Sequence, residues 1–347
     1  MILKNCELFL HFLNRKQFNF TVMEMKFKAK IILLFIILFQ ASEGFGQILI
    51  ETTSENERIK NGTTYVILKD STTDKIKQYM DVLKKYWTHS KIEFISFSEI
   101  DKNMGPENSY LMFGSTTNTT TSVRTGSFGF QREGVSSSCT YIYLELFTIK
   151  QEVFKAKRKK YKFNYKDKIR IARIDLFTDF DAVQNVDLIF KSNFDGNGHI
   201  YNWGPGFLKN NVQTLMGYLR KNEVVQLKNE IENDIELKNL KTETLYVPSY
   251  TMIKYNKFNG NESKSHDEED IFEDYKNKYK IISTEELNNK ILSETKPFYY
   301  LVYIRSCTQK FINVVNSSTG EIIYSEYNAI SYNMKTKDLR KLYKKTQ

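Results

Sequence analysis

Short apolar runs at period two and longer stretches at helical period take turns along the chain, and they do so in two similar series. Thr64–Leu68 (TYVIL) reads as a strand ended by Lys69, Asp70 and Ser71. A helix follows, capped by Ser71 or Thr72, with Ile76, Tyr79, Met80, Leu83 and Trp87 spaced to share one face. Ile92–Phe97 (IEFISF) alternates as a strand, Ser98–Lys102 makes a helical turn, and Ser109–Gly114 (SYLMFG) is a third strand.

The later half repeats the series. Thr244–Val247 is a strand, Asp267–Tyr275 opens a helix with an acidic first turn, and Tyr279–Ile282 is a strand. Thr284–Leu292 is a helix and Phe298–Arg305 (FYYLVYIR) a strand. The two series share a helix-start device: Ser96 and Glu99 stand at capping-box spacing, and so do Ser283 and Glu286. After the third strand the second series continues with Lys310–Val315, a turn at 316–320, Glu321–Tyr324 and a lysine-rich helix from Lys335 to Lys345. Gly320 supplies the positive φ of a tight hairpin. In the first series Thr140–Phe147 takes the first hairpin position and a helix over Gly206–Leu219 closes it, with an insertion at about 150–201 between them. The expected fold is α/β in two tandem mixed-sheet modules, 47–237 and 242–347, and a tandem repeat is the economical explanation.

The N-terminus changes the picture. From Met25, Lys26, Lys28 and Lys30 precede an unbroken apolar run, Ile31–Phe39, followed by small residues at Gly44 and Gly46. This is the layout of a cleavable signal peptide cut between Gly46 and Gln47, and the run is too short to span a bilayer. Met23 or Met25 is then the expected start, with residues 1–24 an over-extended reading frame. No cysteine follows the run closely enough for a lipid anchor, so the mature chain is expected to be periplasmic or secreted, and at most peripheral to a membrane. Of its cysteines only Cys139 and Cys307 remain, either bridged or buried apart as small apolar groups.

The formal charge is +10, and much of the excess lies in 150–173, which includes Lys157, Arg158, Lys159 and Lys160, with Tyr161, Phe163 and Tyr165 interleaved among the basic residues of the segment. Such a segment suits an anionic surface, and export excludes nucleic acid as the expected partner. The plain reading is a solvated strand or loop face; the functional one is a binding surface.

Val314–Ile323 (VVNSSTGEII) resembles a hairpin of the periplasmic α/β module found in the curli secretion lipoprotein and in the amino-terminal domain of the Tol-Pal translocation protein. The resemblance covers about the last third of the chain and, more faintly, the first series; the chain as a whole looks like exported proteins of Gram-negative bacteria. It implies an envelope protein that works by surface contact, and it brings no catalytic residues. The chain departs from the curli lipoprotein in lacking the anchor cysteine.

Candidate chemistry is sparse. His89 follows a helix end, where it would favour the dipole. Asn193, Asp195 and Asn197, with Gly198 and Ile200, match the first two thirds of a calcium loop, but the twelfth position is Gly204 where a bidentate glutamate is needed. His266–Asp270 concentrates carboxylates ahead of an apolar helix face. No nucleophile elbow or phosphate loop occurs. The run 114–134, rich in Ser and Thr, reads as a long loop or irregular hairpin of the kind that carries binding surfaces. Two functions follow: a non-enzymatic envelope protein that binds a protein or cell-surface polymer, or a metal-dependent hydrolase acting on envelope material, built around Asp195, His199 and the loop near Trp203 and favoured if Asp195, His199, His266 and Asp267 cluster in one cleft.

Overall fold

Thr63–Leu68 (β2) buries Thr64, Val66 and Leu68 and leaves the alternate positions half-exposed, the period-two signature of a strand in a sheet. It is one strand of a first six-stranded sheet. The others are Ile48–Ile50 (β1), Lys91–Ser96 (β3), Ser109–Thr125 (β4), Gln131–Ile149 (β5) and Lys168–Asp175 (β6), arranged β3-β2-β4-β5-β6-β1. This computed structural model describes residues 47–69, 73–125, 131–156, 162–227, 230–256, 260–263 and 268–347.

The second six-stranded sheet is built from Ile231–Glu232 (β7), Leu245–Pro248 (β8), Tyr279–Ile282 (β9), Tyr299–Ser306 (β10), Gln309–Asn316 (β11) and Ile322–Asn328 (β12). Its order, β9-β8-β10-β11-β12-β7, is that of the first sheet strand for strand. The directions match as well. β2 runs parallel to β3 and β4 as β8 does to β9 and β10, and the remaining neighbours in both sheets are antiparallel. Helices occupy equivalent places: Asn56–Lys60 (α1) and Asp234–Leu237 (α4) precede the first parallel strand, and Pro205–Lys221 (α3) and Thr336–Thr346 (α6) close each series. Between the parallel strands lies Asp74–Tyr86 (α2) in the first module. Thr284–Ser293 (α5) follows the second parallel strand of the second module, where the first has only a 3₁₀ turn, Phe97–Lys102. Each module thus realises the α/β architecture the sequence implies.

Three details correct or refine the sequence reading. β6 lies within 150–201, so that segment supplies the strand equivalent to β12. The Ser/Thr-rich run after Gly114 continues the β4–β5 hairpin, with paired residues from Ser109↔Thr148 out to Thr125↔Gln131, because threonine favours extended backbone. Both serine devices start helices. At Ser96 the Glu99 carboxylate accepts from the Ser96 N–H at 2.9 Å, whereas at Ser283 the hydroxyl accepts from the Glu286 N–H at 3.0 Å.

Helix α3 belongs to both cores. Leu208, Val212, Leu215 and Leu219 pack into the core of the first sheet, while Phe207 enters the second. Its N-cap, Gly204, has no side chain to offer, and Asn288 of α5 substitutes: its Oδ1 accepts from the Gly206 and Phe207 N–H groups at 2.9 and 3.1 Å. Lys209, nearly buried, donates to the Ile291 carbonyl at the end of α5 and to Ser317 O. Asn210 donates to the Tyr300 hydroxyl at 3.0 Å and Thr214 to Gly320 O at 2.6 Å. Gly320 has φ +76°, and a Cβ there would stand 2.4 Å from Asn210 O, so both its turn and its contact with α3 require glycine.

The closing helix α6 is pinned in its own way. Lys310 of β11 and Asp338 of α6 form a fully buried ion pair at 2.5 Å, and Asp338 also accepts from the Lys335 N–H at the helix start. A disulfide, Cys139–Cys307, ties β5 to the β10–β11 turn. Both cores therefore meet through α3 and through a covalent bridge. Because the bridge closes a loop of 168 residues, it restricts the unfolded chain strongly. The variant Cys139→Ser is expected to lose roughly 2–5 kcal/mol in urea denaturation, a loss reproduced in the wild type by reduction. Equal midpoints with and without reductant would contradict the bridge's role.

Candidate binding cleft in the first module

β2 ends at Leu68, but its neighbour β4 runs on for more than ten residues. The ladder between them stops at Val66↔Leu111. Beyond it, beside Met112–Ser115, lies a cleft of about 720 Å³, a size suited to a small ligand or a few side chains of a peptide. Alternate residues of a strand point to opposite faces, so the cleft borders both layers of the sheet: Phe113 belongs to the main core and Met112 to the smaller cluster behind it.

One wall comes from Asp187–Phe194. Phe194 has φ +60°, a conformation bulky residues rarely adopt. Its surroundings hold it there: the Phe194 carbonyl accepts from Trp203 Nε1 at 2.8 Å, and its ring stacks on Phe113 at 5.2 Å and meets Tyr79 edge-on at 6.0 Å. The opposite wall is Phe97, Tyr165 and Lys168. Seven large apolar side chains stand exposed among the described residues, and three of them, Phe97, Tyr165 and Phe190, line this one cleft. Covering each would release on the order of 1–2 kcal/mol. Clustered in this way they mark a site of contact.

The polar element of the cleft is Glu145, 1% exposed, on the apolar strand β5. Its two oxygens take the Lys168 ammonium at 2.6 and 2.7 Å, and that ammonium also lies over the Phe147 and Tyr165 rings. Gly114 leaves the room: a Cβ there would come within 2.7 Å of the Glu145 carboxylate and 2.6 Å of the Tyr143 ring. Further along β6, Arg170 bonds Glu51 and the Tyr143 hydroxyl, and Arg173 stands 3.0 Å from Asp175. The strand end of the basic segment is thus a ladder of cations matched to carboxylates. Burial pushes the fully buried Asp175 carboxyl up to about 6, against the pull of Arg173 and Arg170.

Of the residues singled out by sequence, Asp195 and Asn197 are joined by one hydrogen bond, Asn197 N–H to Asp195 Oδ1 at 3.1 Å. The other Asp195 oxygen meets Lys75 at 2.9 Å, and Asn193 immediately precedes the strained Phe194. His199 pairs instead with Asp179, Nδ1 to Oδ2 at 2.7 Å, and Asp179 caps the short helix Phe180–Gln184. Among the described residues no three His, Cys, Asp or Glu side chains are grouped to hold a metal ion. His266, Asp267, Lys157, Arg158, Lys159 and Lys160 lie outside the described residues. His89 is half-buried, and burial holds it below the usual histidine range. Sequence reasoning missed the cleft itself; its one signal was Glu145, a lone charge inside the apolar run of β5.

Compared with known proteins, the chain matches no family model, no curated protein and no solved structure. Among the described residues no helix is long and apolar enough to cross a membrane.

Two predictions test this electrostatic layout. Lys168→Met strands a buried carboxylate, with Arg170 no nearer than 4.0 Å, and is expected to cost about 3–5 kcal/mol in urea denaturation. Adding Glu145→Gln should recover most of that loss, and simple additivity of the two would refute the pairing. Second, since the Asp175 carboxyl binds its proton more tightly in the folded chain than in the unfolded one, stability should fall as pH rises from about 4 to about 6. Asp175→Asn removes that contribution, so the variant should gain on the wild type between pH 4.5 and 7. Parallel stability curves would contradict the shift.

Proposed function

We propose that this chain is an exported binding protein of two tandemly repeated α/β modules, acting by contact with a protein or polymer of the cell envelope through the cleft of its first module. The observation that carries the reading is the cleft: about 720 Å³ bordered by three half-exposed aromatic rings and one buried, internally neutralised carboxylate. An apolar seat whose charges are already paired is suited to holding a ligand, and its polar groups are spent on structure.

Export is supported by two independent features. The leader over 25–46 has the charged, apolar and small-residue parts of a signal peptide. The Cys139–Cys307 bridge fits an oxidising compartment. The resemblance of Val314–Ile323 to a periplasmic module points to the same place.

The cleft is tested with the anionic apolar dye 1-anilinonaphthalene-8-sulfonate and the mature chain. We expect saturable binding of one dye per protein, weakened at least tenfold by Phe190→Glu, a rim substitution at a 40% exposed position that leaves the fold intact. Binding unaffected by that variant, in protein with an unchanged thermal transition, would remove the cleft as the seat. In the same preparation the N-terminal residue of the exported protein should be Gln47; a chain that keeps residues 25–46 and stays in the cytoplasm would refute export.

A further inference from the structure

Four strands stand at the outer edges of the two sheets, and each is blunted. β1 has three residues and β7 two, with Glu232 of β7 held by Lys345. β3 carries Lys91 and Glu93, and the four-residue β9 carries Lys280. Short or charged edges are how soluble proteins prevent a further strand from adding. The overhang of β4 is the exception. Among the described residues it pairs past Leu111 on one side only, with β5, and its sequence from Phe113 to Thr120, FGSTTNTT, holds no charge and no proline. The side chains from Thr116 to Thr120 are exposed.

This bare edge is also rigid. Thr117 and Thr140 hydroxyls bond across the ribbon at 3.1 Å, as do Thr119 and Ser138, and β5 is fastened to the second module at Cys139. A pre-ordered edge lowers the entropy cost of adding a strand. The edge starts at the cleft, in line with β2, where β2 itself would lie if it were longer. In the second module the chain leaving β8 turns at once into a short helix whose Tyr250 and Thr251 are buried, and β10 is buried at all eight positions.

We propose that the overhang of β4 accepts an extended segment of another polypeptide as an added strand, which continues the line of β2 and places a large apolar side chain in the cleft. This rests on the cleft being a ligand seat and names its occupant. Charge selects the neighbouring residue. Glu145 and Asp187 are matched by Lys168 and Lys191 at 2.6 Å each, while the Lys69 ammonium at the cleft mouth has, among the described residues, only the Lys191 carbonyl at 3.2 Å. An aspartate or glutamate beside the apolar residue of the incoming strand answers that cation. The same overhang of a second copy offers neither group, since FGSTTNTT has no carboxylate and its one large apolar side chain, Phe113, is committed to the core.

The test is selection of displayed random heptapeptides on the mature, disulfide-bonded protein. Enriched peptides should alternate apolar and polar residues, carry Asp or Glu next to a large apolar one, lack proline at the centre, and displace the naphthalene dye. N-methylation of alternate peptide nitrogens should weaken binding at least tenfold in one of the two registers, and amides of Phe113–Thr120 should gain protection from hydrogen exchange. Peptides that displace the dye but tolerate N-methylation in both registers would overturn strand addition and leave the cleft reading standing. A protein that binds the dye and enriches no dye-displacing peptide would overturn the proposal alone; failure of the dye itself to bind would count against the cleft. Self-association in sedimentation that protects the same amides would overturn it in favour of a second copy.

Discussion

One helix, α3, must satisfy two hydrophobic cores at once, and most of the chain's unusual choices follow from that. A helix with one apolar stripe can leave its far side in water; α3 cannot, since twelve of its residues are buried. Its polar side chains therefore have to find partners across an interface. Lys209, Asn210, Gln213 and Thr214 all bond to the second module, mostly to main-chain carbonyls that a helix end or hairpin turn leaves unpaired. In return Asn288 caps the start of α3. The exchange is reciprocal: each module satisfies backbone groups the other cannot, which is why the two sheets form one compact unit.

The same order of strands in both sheets sets off the one large difference between them. The β10–β11 hairpin has eight residues on each side, whereas β4 and β5 have 17 and 19. Lengthening a hairpin without lengthening the parallel strand beside it leaves a vacant strand position, and the first module places its exposed aromatics around that vacancy. The long ribbon would be a loose arm by itself, because a two-stranded hairpin is marginal in water. The disulfide at Cys139 holds it against the second module.

Charge is used economically in the same region. Within the basic run that suggested an anionic partner, Lys168, Arg170 and Arg173 of β6 pair with Glu145, with Glu51 and, on β6 itself, with Asp175, and are consumed within the fold. Burial of Glu145 and Asp175 explains why the strand is basic. A strand beside buried acids has to bring cations, or the acids would have to stay protonated, as Asp175 partly does at mildly acidic pH. Among the described residues of this region, the apolar cleft and Lys69 at its mouth remain open to a partner.

Local periodicity was enough to read the two series of strands and helices, the hairpin at Gly320 and the helix starts at Ser96 and Ser283, because those depend on neighbours within a few residues. It was enough also for the α/β class, since the order of elements limits how sheets and helices can layer. Long-range pairing was out of its reach. β6 was hidden in a segment read as an insertion because its alternation carries Lys and Arg, and partners such as Glu145 of β5 and Glu51 after β1, distant along the chain, give those cations a reason. The Thr/Ser run read as a long loop or an irregular hairpin, and only its pairing with β5 decided for the hairpin. The state of Cys139 and Cys307 depends on a distance across 168 residues. The cleft itself has no local signature: Phe97, Tyr165 and Phe190 come from three separate connections, and only the early end of β2 beside a longer β4 brings them around one space.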